Sequence, residues 1–275
     1  CLAYCELLRT FYEREFMYEK LSSVLMEQAK YYLSIKQQER FYPTHFRVSF
    51  LGLRYPVDIR NKVFVYRGAP LESIMEFSSR LRHQFPTAKS VPPGKEKDEM
   101  KESEDKLYIQ VSGVTTAYAE EWDNMMPEFR DSMIDPVKLY RKNCNVSTFW
   151  FPRPFRKNRE RKAQMKARGE TYNEFMDLWT KKIFMRTEDT FPNVKRRLEV
   201  VETTEHYQNP LEVAVITVVD KNEDLKRRIE VAESLEGRTA EQSFTMAING
   251  TVDAAVNGGI ANYEPFLTGS YRTDF

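Results

Sequence analysis

His45-Phe46-Arg47-Val48-Ser49-Phe50 alternates so that an extended backbone puts Phe46, Val48 and Phe50 on one face. This hexapeptide is where a helical pattern gives way to strands. Upstream, residues 1 to 36 read as helix. Leu7, Leu8 and Phe11 form one apolar stripe, and Tyr18, Leu21, Leu25, Tyr32 and Ile35 a second at helical spacing. Neither Pro nor Gly occurs before Pro43, which ends the pattern. Downstream, Lys62-Val63-Phe64-Val65-Tyr66 is a second strand, closed by Gly68. A helix from Leu71 to Gln84 should turn Ile74, Phe77 and Leu81 inward and stop before Pro86. Leu107 to Val111 alternates again, and Phe149-Trp150-Phe151 reads as a strand stopped by Pro152. Ile183 to Met185 and Leu198 to Val201 are further strands.

The last third returns to helix. Asn209-Pro210-Leu211-Glu212 is a helix start with a mechanism: Asn209 caps free N–H groups, Pro210 suits the first turn, and Glu212 reaches back to the cap. Leu211, Ala214, Val215, Val218, Leu225 and Ile229 supply an apolar stripe. After a break near Gly237, a second helix carries Phe244, Ile248, Val252 and Ala255. It meets Asn257-Gly258-Gly259, which should interrupt it before Ile260, Tyr263, Phe266 and Leu267 resume helical spacing. The step from Glu264 to Pro265 should kink or end that resumed helix. Helices, a β-rich middle, then helices argue for an α+β chain of several lobes rather than a βαβ sheet.

Composition narrows the function. The 275 residues are 41% hydrophobic and 30% charged, with a formal net charge of +1, which gives no bulk attraction to nucleic acid. Three cysteines, Cys1, Cys5 and Cys144, are too few for a disulfide scaffold and fit a reducing compartment. No apolar run approaches the roughly 20 residues that span a bilayer. The chain starts inside a helical pattern and ends at Phe275 without a closing element, as a piece of a larger protein would. Lys95 to Lys106 is almost entirely charged and reads as a solvated loop between strands. Arg156 to Arg168 carries seven basic residues opposed only by Glu160, and reads either as an exposed loop or as a contact to anionic lipid or nucleic acid. The interleaved aromatics that favour nucleic acid are absent from the run.

Motifs for covalent chemistry are missing. There is no Gly-x-x-x-x-Gly-Lys-Ser/Thr, no Gly-x-Gly-x-x-Gly, no Cys-x-x-Cys and no His-Glu-x-x-His. His45, His83 and His206 fall in a strand, on a helix and before a helix cap, where structural roles are the rule. No cofactor or metal ion is expected, and a hydrolase or oxidoreductase is disfavoured. The unusual stretch is residues 249 to 263, where two Asn-Gly steps flank a helical segment and the second breaks a helix that resumes at once. Such a break leaves backbone groups unpaired. It is either a plain turn between helices or a loop pushed toward a ligand or partner.

Val252-Asp253-Ala254-Ala255-Val256-Asn257-Gly258-Gly259-Ile260-Ala261 followed by Tyr263 resembles the interrupted helix in the exchange domain of DOCK (dedicator of cytokinesis) proteins. Five further segments agree in order. They are Tyr55-Pro56 with Ile59-Arg60-Asn61-Lys62, Tyr66-Arg67-Gly68 and Phe85-Pro86; Asn145-Val146 with Phe149; Arg153-Pro154-Phe155; Asn173-Glu174-Phe175 with Trp179 and Thr190-Phe191-Pro192; and Pro210-Leu211-Glu212 with Ala214. The glycine pair is most similar to the subfamilies that act on Rac. The resemblance implies three parts: residues 1–40 as the end of a helical dimerisation lobe, 41–205 as a GTPase-binding lobe of small antiparallel β-sheets, and 206–275 as a truncated helical catalytic lobe interrupted near 256–259.

The resemblance also implies a guanine-nucleotide exchange factor for a Rho-family GTPase, most closely of Rac type. By motif position, Val256 projects toward the nucleotide's magnesium ion, and Asn257, Gly258 and Gly259 shape the backbone that projects it. Pro210, Leu211, Glu212, Val252, Ala255 and Tyr263 are implied to be GTPase-binding residues of the catalytic lobe, the first three positioning that lobe. A homodimer, a cytoplasmic protein recruited to the plasma membrane, and a weak anionic-lipid contact at Arg156 to Arg168 go with that reading, and no nucleic acid is expected. The alternative is a module that binds a GTPase without catalysing exchange. Asn209 stands where the family commonly has Ser, a change that keeps a good cap.

Overall fold

The computed structural model describes residues 2–37, 41–117, 126, 129, 132–157, 165, 167–169, 174–234, 238–252 and 259–267. They divide into two compact units, one of residues 1–151 with 184–203 and one of residues 152–183 with 204–275.

The first unit opens with two helices where the stripes predicted one continuous pattern. Helix α1 spans Leu2–Arg14 and α2 spans Tyr18–Gln37. The break is at Phe16, whose φ of 54° is left-handed for a residue with a side chain. Gln28 Nε2 donates to Glu6 (3.2 Å), so the chain folds back as a hairpin. The two separate stripes are the trace of this turn: each belongs to its own helix, and Cys5 and Ile35 are buried.

Strand β1 (Pro43–Leu51) pairs antiparallel with β2 (Val63–Pro70) on one side and with β4 (Tyr108–Thr116) on the other. The two-residue β3 (Lys89–Ser90) adds parallel to β4. The long strands β5 (Val146–Arg156), β6 (Leu178–Phe191) and β7 (Arg197–Gln208) complete one seven-stranded sheet in the order β1-β2-β7-β6-β5-β4-β3, and the β1–β4 pairing closes it. Small separate sheets are therefore replaced by a single ring of strands. Closure leaves β1 without a free edge and buries both its faces. Phe46, Val48 and Phe50 pack with Tyr55, Ile59, Phe64 and Ile109 beneath helix α3 (Ile74–Gln84), which contributes Phe77 and Leu81. Phe46 stacks on Phe77 at 4.3 Å between ring centroids. On the alternate face, His45 lies against Phe149 (5.0 Å) and Phe191 (5.2 Å).

Several local expectations change for identifiable reasons. Ile74, expected inward, is 43% exposed, because α3 starts at Ile74 after the Ser73–Glu76 capping box and only its later turns reach the core. Gly68 does not end β2. A Cβ there would lie 2.7 Å from Phe46 Cε2 and 2.9 Å from the Thr44 carbonyl, so the glycine admits the neighbouring strand. β5 continues through Pro152 and Pro154, since proline's φ suits an extended chain and costs only a donor. The charged loop 95–106 carries one turn of helix, α4 (Asp98–Lys101). Helix α5 (Asp135–Lys142) precedes β5.

The second unit holds α6 (Pro210–Ser234), α7 (Arg238–Val252), α8 (Glu264–Leu267) and two 3-10 turns, Glu174–Asp177 and Gly259–Asn262. Pro265 falls in the first turn of α8, where the missing N–H has no intrahelical partner to lose, so it neither kinks nor ends a helix.

Candidate functional site

The start of α6 forms as its four residues specify. Glu212 N donates to Asn209 Oδ1 (2.9 Å), and Asn209 N donates to a Glu212 carboxylate oxygen (2.9 Å). This reciprocal capping box engages two of the donors a helix start leaves free. Pro210 is buried while Leu211 and Glu212 are exposed. The predicted apolar stripe of α6 is largely uncovered by the described residues. Val215 is 55% exposed, and Leu211, Val218 and Ile229 are also exposed. Among the described elements, α7 and the Glu174–Asp177 turn make the main contacts to α6.

Tyr263 is where separate segments meet. Its ring lies 6.5 Å from Phe175 on the Glu174–Asp177 turn, and Lys221 Nζ of α6 stands 5.6 Å from its centroid. Tyr263 N donates to the Ile260 carbonyl (2.9 Å), closing the 3-10 turn, and Phe266 N donates to Tyr263 O (3.0 Å) as α8 begins. An aromatic ring beneath a lysine is a cation–π pair that ties α6 to the segment after the break.

Helix α7 ends at Val252, and the chain is described again from Gly259. Gly259 is buried with φ +48°, a left-handed conformation in which a side chain is strained. Ala255, Val256, Asn257 and Gly258 lie outside the described residues. Of the basic run, only Arg156, Lys157, Met165, Ala167 and Arg168 are described. Lys157 Nζ sits 4.6 Å from the Trp179 ring centroid.

A polar cluster joins β6 and β7 in the same unit. Lys181 Nζ donates to Glu205 (2.9 Å) and lies 5.6 Å from the Tyr207 ring, while Tyr207 Oη donates to Glu205 (2.9 Å). The Lys181 hydrogen bond is the main cause lowering the Glu205 carboxyl pKa, with Tyr207 second, and Glu205 in turn raises Lys181. Both groups are solvent-facing, so this is a surface ion pair of small energetic weight.

The motif segments of the first unit are built into its framework. Tyr55 is buried with its hydroxyl donating to Tyr108 O (3.3 Å), and Arg60 Nε donates to Tyr55 O (3.0 Å). Asn61, at φ 54°, accepts from Gly52 N and donates to Lys101 O, both at 3.0 Å. Lys62 pairs with Glu199 at 2.7 Å. His45 is 6% exposed; burial, and secondarily the Arg67 charge, hold its pKa down at about 4. Among the described residues no group of His, Cys, Asp or Glu could hold a metal ion, and no helix is long and apolar enough to cross a membrane.

Comparison with known proteins bears on these segments together. Residues 94–190 match the family model described as DHR-2, Lobe B. Dedicator of cytokinesis protein 4 of Homo sapiens is 31% identical over 273 residues, covering 97% of this chain and 13% of the relative. Dedicator of cytokinesis protein 3 of Mus musculus is 31% identical over 275 residues, 98% of this chain and 13% of the relative. DOCK-like protein 1 of Saccharomyces cerevisiae is 28% identical over 282 residues, 99% of this chain and 14% of the relative. The chain thus spans 13 to 14% of the length of these relatives.

Proposed function

Because the chain belongs to the dedicator-of-cytokinesis family, we propose that it is part of a guanine-nucleotide exchange factor that acts on a Rho-family GTPase of Rac type. The observation that supports this reading is Gly259, buried with φ +48° at the start of the 3-10 turn Gly259–Asn262 and shortly before α8. A loop there would project Val256, with Asn257, Gly258 and Gly259 setting its backbone.

The proposed mechanism needs no covalent step. Magnesium requires oxygen ligands in a near-octahedral array. A branched hydrocarbon delivered into that space offers none and keeps water out, so the ion leaves and the GDP diphosphate loses its main counter-charge. Linkage makes the effect reciprocal: the factor weakens GDP as much as GDP weakens the factor. Pro210, Leu211 and Glu212 would set the angle of α6 through the capping box, and Val252, Ala255 and Tyr263 would line the GTPase-facing side. The division into residues 1–40, 41–205 and 206–275 belongs to the same reading. So does dimerisation through the α1–α2 hairpin, where Leu7 is 68% exposed and Phe11 and Tyr32 are also exposed. Recruitment from the cytoplasm to the plasma membrane, with a lipid contact at Arg156 to Arg168, completes the proposal.

The test is release of a fluorescent GDP analogue from magnesium-loaded Rac. Val256→Ala should slow the accelerated release by roughly tenfold or more, about 1.4 kcal/mol of barrier, while Rac affinity stays close to that of the parent chain. A folded chain that binds Rac without accelerating release would instead establish the non-catalytic binding module.

A further inference from the structure

Four arginines from three segments of the first unit meet over an apolar floor. Arg67 of β2, Arg80 of α3, and Arg196 and Arg197 at the start of β7 line one cleft with Tyr66 and Gln84, above Phe77 and Leu81. The sheet assembles it: Tyr66 is in register with Arg197, and Arg67 N donates to the Arg196 carbonyl (2.9 Å). Among the described residues no carboxylate lines the cleft. Two of the arginines are compensated from outside it, Arg80 by Glu72 (3.0 Å) and Arg197 by Asp58 (3.3 Å). Among the described residues, Arg67 and Arg196 have no carboxylate within ion-pair distance.

The adjoining cleft, which shares Arg196 and Arg197, does contain Asp58 and Glu188. Asp58 is engaged by Arg197, and Glu188 by Lys195 (3.3 Å). Arg67's charge is felt inside the fold, where it is the second cause holding His45 neutral. Burial raises the Tyr66 phenol, which accepts from Arg197 Nη1 (3.4 Å) and so keeps its own proton to donate. Like charges held this close oppose folding unless something neutralises them.

We propose that Arg67, Arg80, Arg196 and Arg197 form a binding site for a phosphate dianion, borne on a lipid headgroup or on a free phosphate compound. Charge selects this class. Two uncompensated guanidinium groups match the nearly two negative charges of a phosphomonoester, whereas one carboxylate would leave a positive charge over. Geometry agrees, because planar guanidinium forks pair bidentately with phosphate oxygens, and Tyr66 and Gln84 add neutral donors. The site does not depend on the exchange reading, since it lies in the strand ring and uses no residue of the interrupted helix.

Two probes test it on the whole chain: inorganic pyrophosphate, followed by amide NMR shifts, and phosphatidylcholine vesicles doped with a phosphoinositide, compared in co-sedimentation with phosphatidylserine vesicles of equal charge. Pyrophosphate should saturably shift the amides of Tyr66, Arg67, Arg196 and Arg197. Arg67→Gln with Arg196→Gln should weaken binding of the effective probe roughly tenfold or more. Arg82→Gln, the same charge change on the exposed side of α3, should leave it within about twofold. The single variant Arg196→Gln, at an exposed position, should show part of the loss with an unchanged unfolding midpoint. Pyrophosphate binding alone assigns a free phosphate compound. A phosphoinositide preference lost in the double variant assigns a headgroup. No saturable binding of either probe, or equal weakening by Arg82→Gln, overturns the proposal.

Discussion

The strand ring and helix α6 use comparable apolar residues to opposite ends. In the ring and the core packed on it, Val48, Phe50 and Phe149 are 0% exposed, and Phe46, Tyr55 and Phe77 are 1% exposed. In α6, Val215 is 55% and Val219 49% exposed. A buried Phe or Val contributes on the order of 1.5–3 kcal/mol, whereas an exposed one contributes little. The ring therefore buries its own apolar content, while that of α6 is largely uncovered by the described residues. Apolar periodicity in a sequence identifies a helix or strand with a face to bury, and does not say whether this part of the chain buries it.

The largest expected effect breaks that comparison if it fails. Phe50→Ala should cost about 3–5 kcal/mol in denaturant unfolding, the usual price of removing a large core aromatic, while Val215→Ser should stay within about 0.5 kcal/mol. Equal losses would show that α6 is covered. The second effect concerns pH. His45 takes a proton in the unfolded chain near its ordinary pKa of 6.5, but in the fold only near 4. Between those values the unfolded state binds more protons, so stability is complete above about pH 6.5 and falls as pH drops toward 4. The loss approaches about 3 kcal/mol. His45→Leu should flatten this slope, and because His45 Nε2 has no hydrogen-bond partner among the described residues, it should cost little at neutral pH. The smallest effect sharpens the comparison, since a capping box of the same design stands in each unit. Ser73→Ala and Asn209→Ala should each cost about 1 kcal/mol of local helix stability, read by amide exchange in α3 and α6. The Ser73 loss should also appear in the global unfolding of the ring, because α3 buries Phe77 and Leu81 there.

Much was legible where short-range physics decides. The alternation around Phe46, Val48 and Phe50 gave β1, and Asn209-Pro210-Leu211-Glu212 gave the start of α6 together with its reciprocal hydrogen bonds. Six motif segments in order were enough to name a family. The turn at Phe16 was not legible, because a left-handed non-glycine residue is held by the packing of α1 on α2 rather than by its own preference. Nor was the length of β5 to β7: the apolar cores at Phe149, Ile183 and Leu198 are short, and the polar ends extend only because neighbouring strands supply hydrogen-bond partners.

By itself, the sequence determined where helices give way to strands and which residues cap α6, since each follows from the conformational preferences of a few adjacent side chains. The tertiary structure alone decided that β1 and β4 close the ring, that His45 is buried neutral between Phe149 and Phe191, and that Arg67, Arg80, Arg196 and Arg197 share a cleft. Those outcomes depend on strand pairing between segments as far apart as Tyr66 and Arg197. Local propensity holds no record of which distant strand will supply the hydrogen bonds.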